Sequence, residues 1–161
     1  MSRQRSHRNR TAIQLVVVGK IRAPLAAASE EYERRISERC AIRVDEVPHG
    51  QGAAREATRR EAGMIRGALL DRAHVVCLDP AGRGYGSSED FTGWLAARLE
   101  VPVPTAFLIG GPDGFDDELL HESDEKRSLG SLTFPHQLAR VVLLEQIYRA
   151  AKILAGEKYH L

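Results

Sequence analysis

Cysteine is scarce in this chain: two residues in 161, Cys40 and Cys77, far apart, with no CxxC spacing and no histidine pair at metal-ligand spacing. That excludes a disulfide framework and gives a metal site no support, so two reduced, buried thiols of an intracellular protein are expected. Long apolar runs are absent as well. No stretch reaches the roughly 18 residues that a membrane-spanning helix needs, and none follows the arginines at the N-terminus as a signal peptide would require. A cytoplasmic protein with no membrane partner is the expectation. A large positive excess is also missing, for the formal net charge is only +1. Arg3, Arg5, Arg8 and Arg10 carry more than that between them, leaving the rest of the chain slightly acidic. A sequence-nonspecific nucleic-acid binder relies on phosphate contacts and advertises them in its charge. If this chain handles RNA, it does so through a local patch or a preshaped target.

Several enzyme signatures are lacking too. There is no P-loop, no GxSxG elbow and no HExxH. Ser123-Asp124-Glu125-Lys126 fits SxxK, but its companion motifs are missing. Gly82-Arg83-Gly84-Tyr85-Gly86 and Gly110-Gly111-Pro112-Asp113-Gly114 follow apolar runs. Neither has dinucleotide-binding spacing, and Pro112 removes an amide donor that a phosphate cradle would use. As isolated features, both clusters read as plain turns between strand and helix.

What is present is an ordered alternation. Ala12 to Val18, Ala41 to Val47, His74 to Leu78, Thr105 to Ile109 and Ser131 to Phe134 read as five strands, the first, third and fourth of them mostly apolar rather than alternating. Between them lie helices over Leu25 to Arg39, Ala53 to Leu70, a segment capped by Ser87 or Ser88, and a short one over Asp116 to His121. A last helix spans Pro135 to Ala155. Apolar strands alternating with helices predict a three-layer α/β domain with a mostly parallel sheet of five to six strands. Ligands of such sheets bind beyond the strand C-terminal ends. Three of those ends should face one another: Leu78-Asp79, Gly110-Gly111 and the segment before Pro135. The final helix is apolar over far more than a single stripe, through Leu138, Val141, Val142, Leu143, Leu144, Ile147, Ala150, Ala151, Ile153 and Leu154. A helix of that kind packs on two sides, so a homodimer is expected. Residues 1–11 are expected to form a disordered, Arg-rich arm ahead of a single domain over 12–161.

Taken in order, the motifs carry a resemblance. Leu78-Asp79-x-x-Gly82-Arg83 is followed by Phe107-Leu108-Ile109-Gly110-Gly111-Pro112-Asp113-Gly114. Then come Leu129-x-Ser131-Leu132-Thr133-Phe134-Pro135-His136-Gln137-x-x-Arg140, Glu145-Gln146-x-Tyr148-Arg149-Ala150 and a terminal Tyr159-His160. From about Ala12 onward this closely resembles the small SPOUT-class methyltransferases of the bacterial RlmH family, which methylate N3 of a pseudouridine in large-subunit (23S-type) ribosomal RNA. The Arg-rich arm is the one departure.

The resemblance implies a deep C-terminal trefoil knot, a rare exception to unknotted topology. It further implies S-adenosyl-L-methionine held by Leu78, Gly110, Leu129, Gly130, Ser131, Leu132, Thr133 and Phe134, and no metal. The implied partners are a second copy of the chain and large-subunit rRNA in the assembled ribosome. The sulfonium is already a good methyl donor, so the protein must align N3 and promote loss of its proton. His136, Arg140, Arg149, Tyr159 and His160 are the substrate-binding candidates. An arginine would stabilise the anion spread over N3 and its flanking carbonyls. No residue is singled out as the base. A ribosome-docking module without catalysis remains the alternative at this point.

Overall fold

The computed structural model describes residues 11–159, so the Arg-rich arm and His160 lie outside the described part. Among the described residues five strands form one sheet in the order β2-β1-β4-β3-β5, every neighbouring pair parallel. In chain order the strands are β1 Ile13–Val18, β2 Ile42–Val47, β3 His74–Gly84, β4 Thr105–Ile109 and β5 Glu125–Ser128. The helices are α1 Leu25–Ser37, α2 Ala54–Ala68, α3 Ser88–Glu100, α4 Asp117–Glu122 and α5 His136–Leu154.

The central strands β1 and β4 are buried along their whole length, as their apolar runs require. Alternate residues of β1 serve opposite layers. Ile13, Leu15 and Val17 join Ile36 of α1, Phe91 and Leu95 of α3 and Leu143, Leu144 and Ile147 of α5 in one cluster. Val16 and Val18 join Ala62 and Ile65 of α2 and Leu119 of α4 in the other. Gln14 is the polar member of β1, and its burial is fully satisfied. Its amide donates to Asp45 Oδ2 (2.7 Å) and the Ala68 carbonyl (2.9 Å), and its oxygen accepts from the Leu70 N–H (3.1 Å). A buried glutamine thereby ties β1 to β2 and to the C-terminal end of α2.

Two expectations need correction. The fifth strand is Glu125–Ser128, and Ser131 to Phe134 is irregular. An edge strand pairs on one side only, so it can be short and charged, and Glu-Lys-Arg-Ser carries no apolar signature. Leu132, Thr133 and Phe134 are apolar or β-branched because they line a cavity, not because they fill a sheet. The first glycine cluster is also more than a turn. After a register break between Leu78 and Arg83, β3 continues and Gly84 pairs with Ser128. A Cβ on Gly82 would stand 2.7 Å from backbone atoms of Lys126 and Arg127, so only glycine lets the two chains pass.

Candidate functional site

The three strand ends that were expected to meet do so. Beyond β3, β4 and β5 lies a cavity of about 570 Å³ whose lining includes Leu78, Gly110, Leu129, Leu132, Thr133, Phe134 and His136. Its volume lies in the range of small-molecule sites. Gly130 and Ser131 line a neighbouring cleft of about 640 Å³, which shares Pro80, Ser128 and Leu129 with the first. The eight residues expected around the cofactor therefore fall in two adjoining spaces, six in the first and two in the second, with Leu129 on the wall between them.

Local hydrogen bonds shape each loop. At the end of the β3 run, Asp79 Oδ1 accepts from the Ala81 N–H at 2.8 Å and fixes a turn at the cavity wall. After β4, the Gly114 N–H donates to the Gly111 carbonyl at 3.0 Å, and Gly114 sits at φ +75°. A Cβ on Gly110 would press on the Gly114 carbonyl at 3.0 Å and on the Phe115 ring at 3.4 Å. The glycine thus serves the tight turn that forms the cavity wall. After β5, the Gly130 N–H donates to Ser128 Oγ (3.2 Å), whose hydroxyl donates to the Gly130 carbonyl.

The substrate-binding candidates scatter. His136, the first residue of α5, lines the cavity and meets His49 edge-on, ring centroids 5.7 Å apart. Arg140 is buried and fully engaged: it donates to Ser29 Oγ (3.0 Å), Glu46 Oε1 (3.0 Å) and Glu33 Oε1 (3.3 Å). It cross-links α5 to α1 and β2, and within the protomer its guanidinium is not free for a substrate. Arg149 donates to Glu145 Oε1 at 3.0 Å and stacks 4.3 Å from the Tyr159 ring centroid. Tyr159 Oη donates to the same carboxylate oxygen at 2.8 Å. Burial, then this carboxylate, push the Tyr159 phenol up to about 12, so it stays protonated. Glu145 lies nine residues along α5 from His136, roughly 14 Å at helical rise. The tail thus folds against its own helix, well away from the cavity of its own chain.

Sequence reasoning passed over His49 and Glu61. His49 stands in a Pro-His-Gly turn that reads as a strand break, and Glu61 sits on a charged helix that reads as solvated, yet Glu61 is only 6% exposed. Its spacing from the apolar positions Ala57, Ala62 and Ile65 was the available signal. Both cysteines are shielded. Burial pushes the Cys40 and Cys77 thiols up to about 11, which leaves them protonated and unreactive, as expected of thiols with no chemical role. Among the described residues no group of three or more His, Cys, Asp or Glu side chains could hold a metal ion, and no helix is long and apolar enough to cross a membrane.

The family model described as "Predicted SPOUT methyltransferase" matches residues 11–160. The chain is 45% identical over 159 residues to the ribosomal RNA large subunit methyltransferase H of Rubrobacter xylanophilus, covering 91% of this chain and 96% of that protein. It is 42% identical over 153 residues to the protein of the same name from Nitratidesulfovibrio vulgaris, with 92% and 97% covered. The fold also matches the crystal structure of a probable methyltransferase from Bordetella pertussis Tohama I, with a TM-score of 0.56 at 13% identity over 88% of this chain and 95% of that one.

Proposed function

The chain belongs to the SPOUT methyltransferase family, and from that premise we propose that it transfers a methyl group from S-adenosyl-L-methionine to N3 of a pseudouridine in large-subunit rRNA. The observation that carries this reading is the meeting of the Leu78, Gly110 and Leu129–Phe134 loops around one cavity of about 570 Å³. The names of the relatives, which are large-subunit rRNA methyltransferases, supply the substrate class. The cavity suits the group. Leu78, Ile109, Leu129, Leu132 and Phe134 offer apolar walls for an adenine, and the glycine-rich turn brings backbone amides and carbonyls to its edge. When bound, the cofactor supplies an electrophilic methyl on a sulfonium sulfur. The chain's own work is to hold it, to bring the target base alongside and to receive the N3 proton.

A homodimer is part of this reading, and so is the trefoil knot. The inner face of α5 buries Leu143, Leu144, Ile147 and Ala150 at 0% exposure, while Ile153 and Leu154 on the same helix are 41% and 46% exposed. Leu138, Val142, Glu145, Arg149 and Ile153 follow at helical spacing along the opposite side, and the tail folds onto that side through Tyr159. A dimer paired through this outer stripe brings the tail to the subunit boundary. Arg149, Tyr159 and His160 are proposed to act on the substrate there, with Arg140 in a supporting role through its cross-link.

The test is to delete residues 158–161 and measure calorimetric adenosylmethionine binding beside methyl transfer to naked rRNA, free subunits and assembled ribosomes. Binding should stay near wild type while transfer collapses, and the intact enzyme should prefer a structured ribosomal substrate over naked rRNA. A truncated chain that transfers at the wild-type rate would remove the tail from the site. A protein that docks on ribosomes but gives no saturable heat with adenosylmethionine would be a binding module instead.

A further inference from the structure

Two histidines at the C-terminal edge of the sheet do something that cofactor binding does not explain. His49 follows β2, and its ring lies across the ends of β1 and β4. A Cβ on Gly19 would come within 2.5 Å of His49 Nε2, and one on Gly111 within 3.2 Å of its Nδ1. Residues without side chains make this slot, and Gly19 adds a φ of +87° that disfavours any other residue. From α2, the buried Glu61 accepts from the Gly50 N–H at 3.0 Å through Oε1, and the same oxygen stands 3.9 Å from His49 Nδ1. From α5, the His136 ring meets that of His49 at an interplanar angle of 85°.

One ring of the pair faces the cavity while the other faces water. His136 lines the pocket, whereas the His49 side chain is 47% exposed. Lys20 and Arg22 follow Gly19 on the exposed side, where the Arg22 backbone N–H donates to the side chain of Gln137, next to His136. Among the described residues no carboxylate pairs with His136. Burial first, and then the neighbouring His49, hold its imidazole below the ordinary value, so it is neutral at physiological pH and has a free lone pair.

We propose that His49 is a positioning residue for His136, setting that ring edge-on at the cavity so that His136 serves as the base for the methyl transfer. This rests on the function proposed above. The His136 ring nitrogen takes the imino proton from N3, and the electron pair of that N–H bond stays on N3. That pair forms the new N–C bond as the S–C bond of the donor breaks, its electrons remaining on sulfur. An imino group is a far weaker acid than an imidazolium, so proton removal accompanies N–C bond formation rather than preceding it. The protonated ring then loses its proton to water.

The experiment is a histidine-selective NMR titration of the full-length wild type, His49→Gln and His49→Phe, with calorimetric adenosylmethionine binding and the pH profile of transfer measured on each. All three proteins should bind adenosylmethionine alike. In both variants His136 should titrate at higher pH than in wild type, because the neighbouring imidazole that lowers it is gone. The acid limb of the rate profile should move up by the same shift. His49→Phe keeps the ring edge and should keep the plateau rate; His49→Gln should lower it. Titration curves and rate profiles that superimpose on wild type in both variants would overturn the proposal. If wild type binds adenosylmethionine yet methylates no rRNA, the function above falls, and with it the role of His136 as base. The titration needs no substrate and still decides whether His49 governs the state of His136.

Discussion

Gly110 stands in a turn that leaves little room for a side chain. A Cβ there would stand 3.0 Å from the Gly114 carbonyl oxygen and 3.4 Å from the Phe115 ring, so the turn would have to give by a few tenths of an ångström. Gly110→Val should therefore push the 110–114 turn away from β4 and abolish adenosylmethionine binding. Ser131 sits on the neighbouring cleft, and among the described residues no side-chain hydrogen bond holds it there, so Ser131→Ala should leave binding within about twofold, a change under about 0.5 kcal/mol. Calorimetry on the two variants checks the pair, and normal binding by Gly110→Val would mean that the cofactor lies elsewhere. The need for glycine at 110 was legible as a Gly-Gly-Pro-Asp-Gly motif, but its reason was not. The family resemblance placed Gly110 against the cofactor, whereas the structure adds close approach of the chain to itself. Arg140 differs in kind. As an arginine able to stabilise the N3 anion it was expected to contact substrate, and nothing in the sequence marks Ser29, Glu33 and Glu46, some hundred residues away, as its partners.

At the scale of elements, the sequence is most readable where a strand is buried on both faces and least readable at the sheet edge. β4 is the segment Thr105–Ile109 that its apolar run suggested, and Ser87 caps α3 by accepting from the Asp90 N–H at 3.0 Å. β5 was misplaced because its pairing rests on charge. His74 Nε2 lies 2.8 Å from Glu125 Oε2, Trp94 Nε1 donates to the same oxygen at 3.2 Å, and Arg127 donates to Oε1 at 2.9 Å. Burial would raise the Glu125 carboxyl, but the hydrogen bonds and charges of His74 and Arg127 outweigh it and hold the group below the usual carboxylate range. A depressed carboxylate stabilises the fold fully above its unfolded value of about 4.3, and that stabilisation is lost as pH falls through the lower folded value. Trp94 is the only tryptophan in the chain, so its fluorescence reports the loss directly. The emission should change in wild type as pH falls below about 4.3, and be already altered at neutral pH in Glu125→Gln. An emission flat through that range would show that Glu125 is not anchoring the edge. The two faces of α5 call for different substitutions. Leu143→Glu would place a charge in the protomer's own core and unfold it. Val142→Glu on the outer stripe should give a folded monomer, with a native circular dichroism spectrum and half the wild-type mass by light scattering. A wild type that is itself a soluble monomer would contradict the dimer.

For the molecule as a whole, the near-neutral charge and the local architecture point the same way. With a formal net charge of +1, generic attraction to phosphate cannot supply much affinity, so recognition has to come from a few placed groups and a shaped target. The sheet gathers three loops at one edge, α5 runs away from that edge with its outer stripe uncovered by its own sheet, and the tail folds back on the stripe. Strand ends and periodicity made the first two legible. The tail's contact with Glu145 and Arg149 was not, since it depends on a reversal of the chain after Leu154 that no periodic pattern encodes. The most direct test of the account is nucleoside mass spectrometry of large-subunit rRNA after incubation of ribosomes from a strain lacking this methylation with the enzyme and methyl-labelled adenosylmethionine. Labelled N3-methylpseudouridine at a single position is the expected result. Label in another nucleoside would contradict the substrate assignment, and rRNA free of label, with the cofactor demonstrably bound, would contradict the function itself.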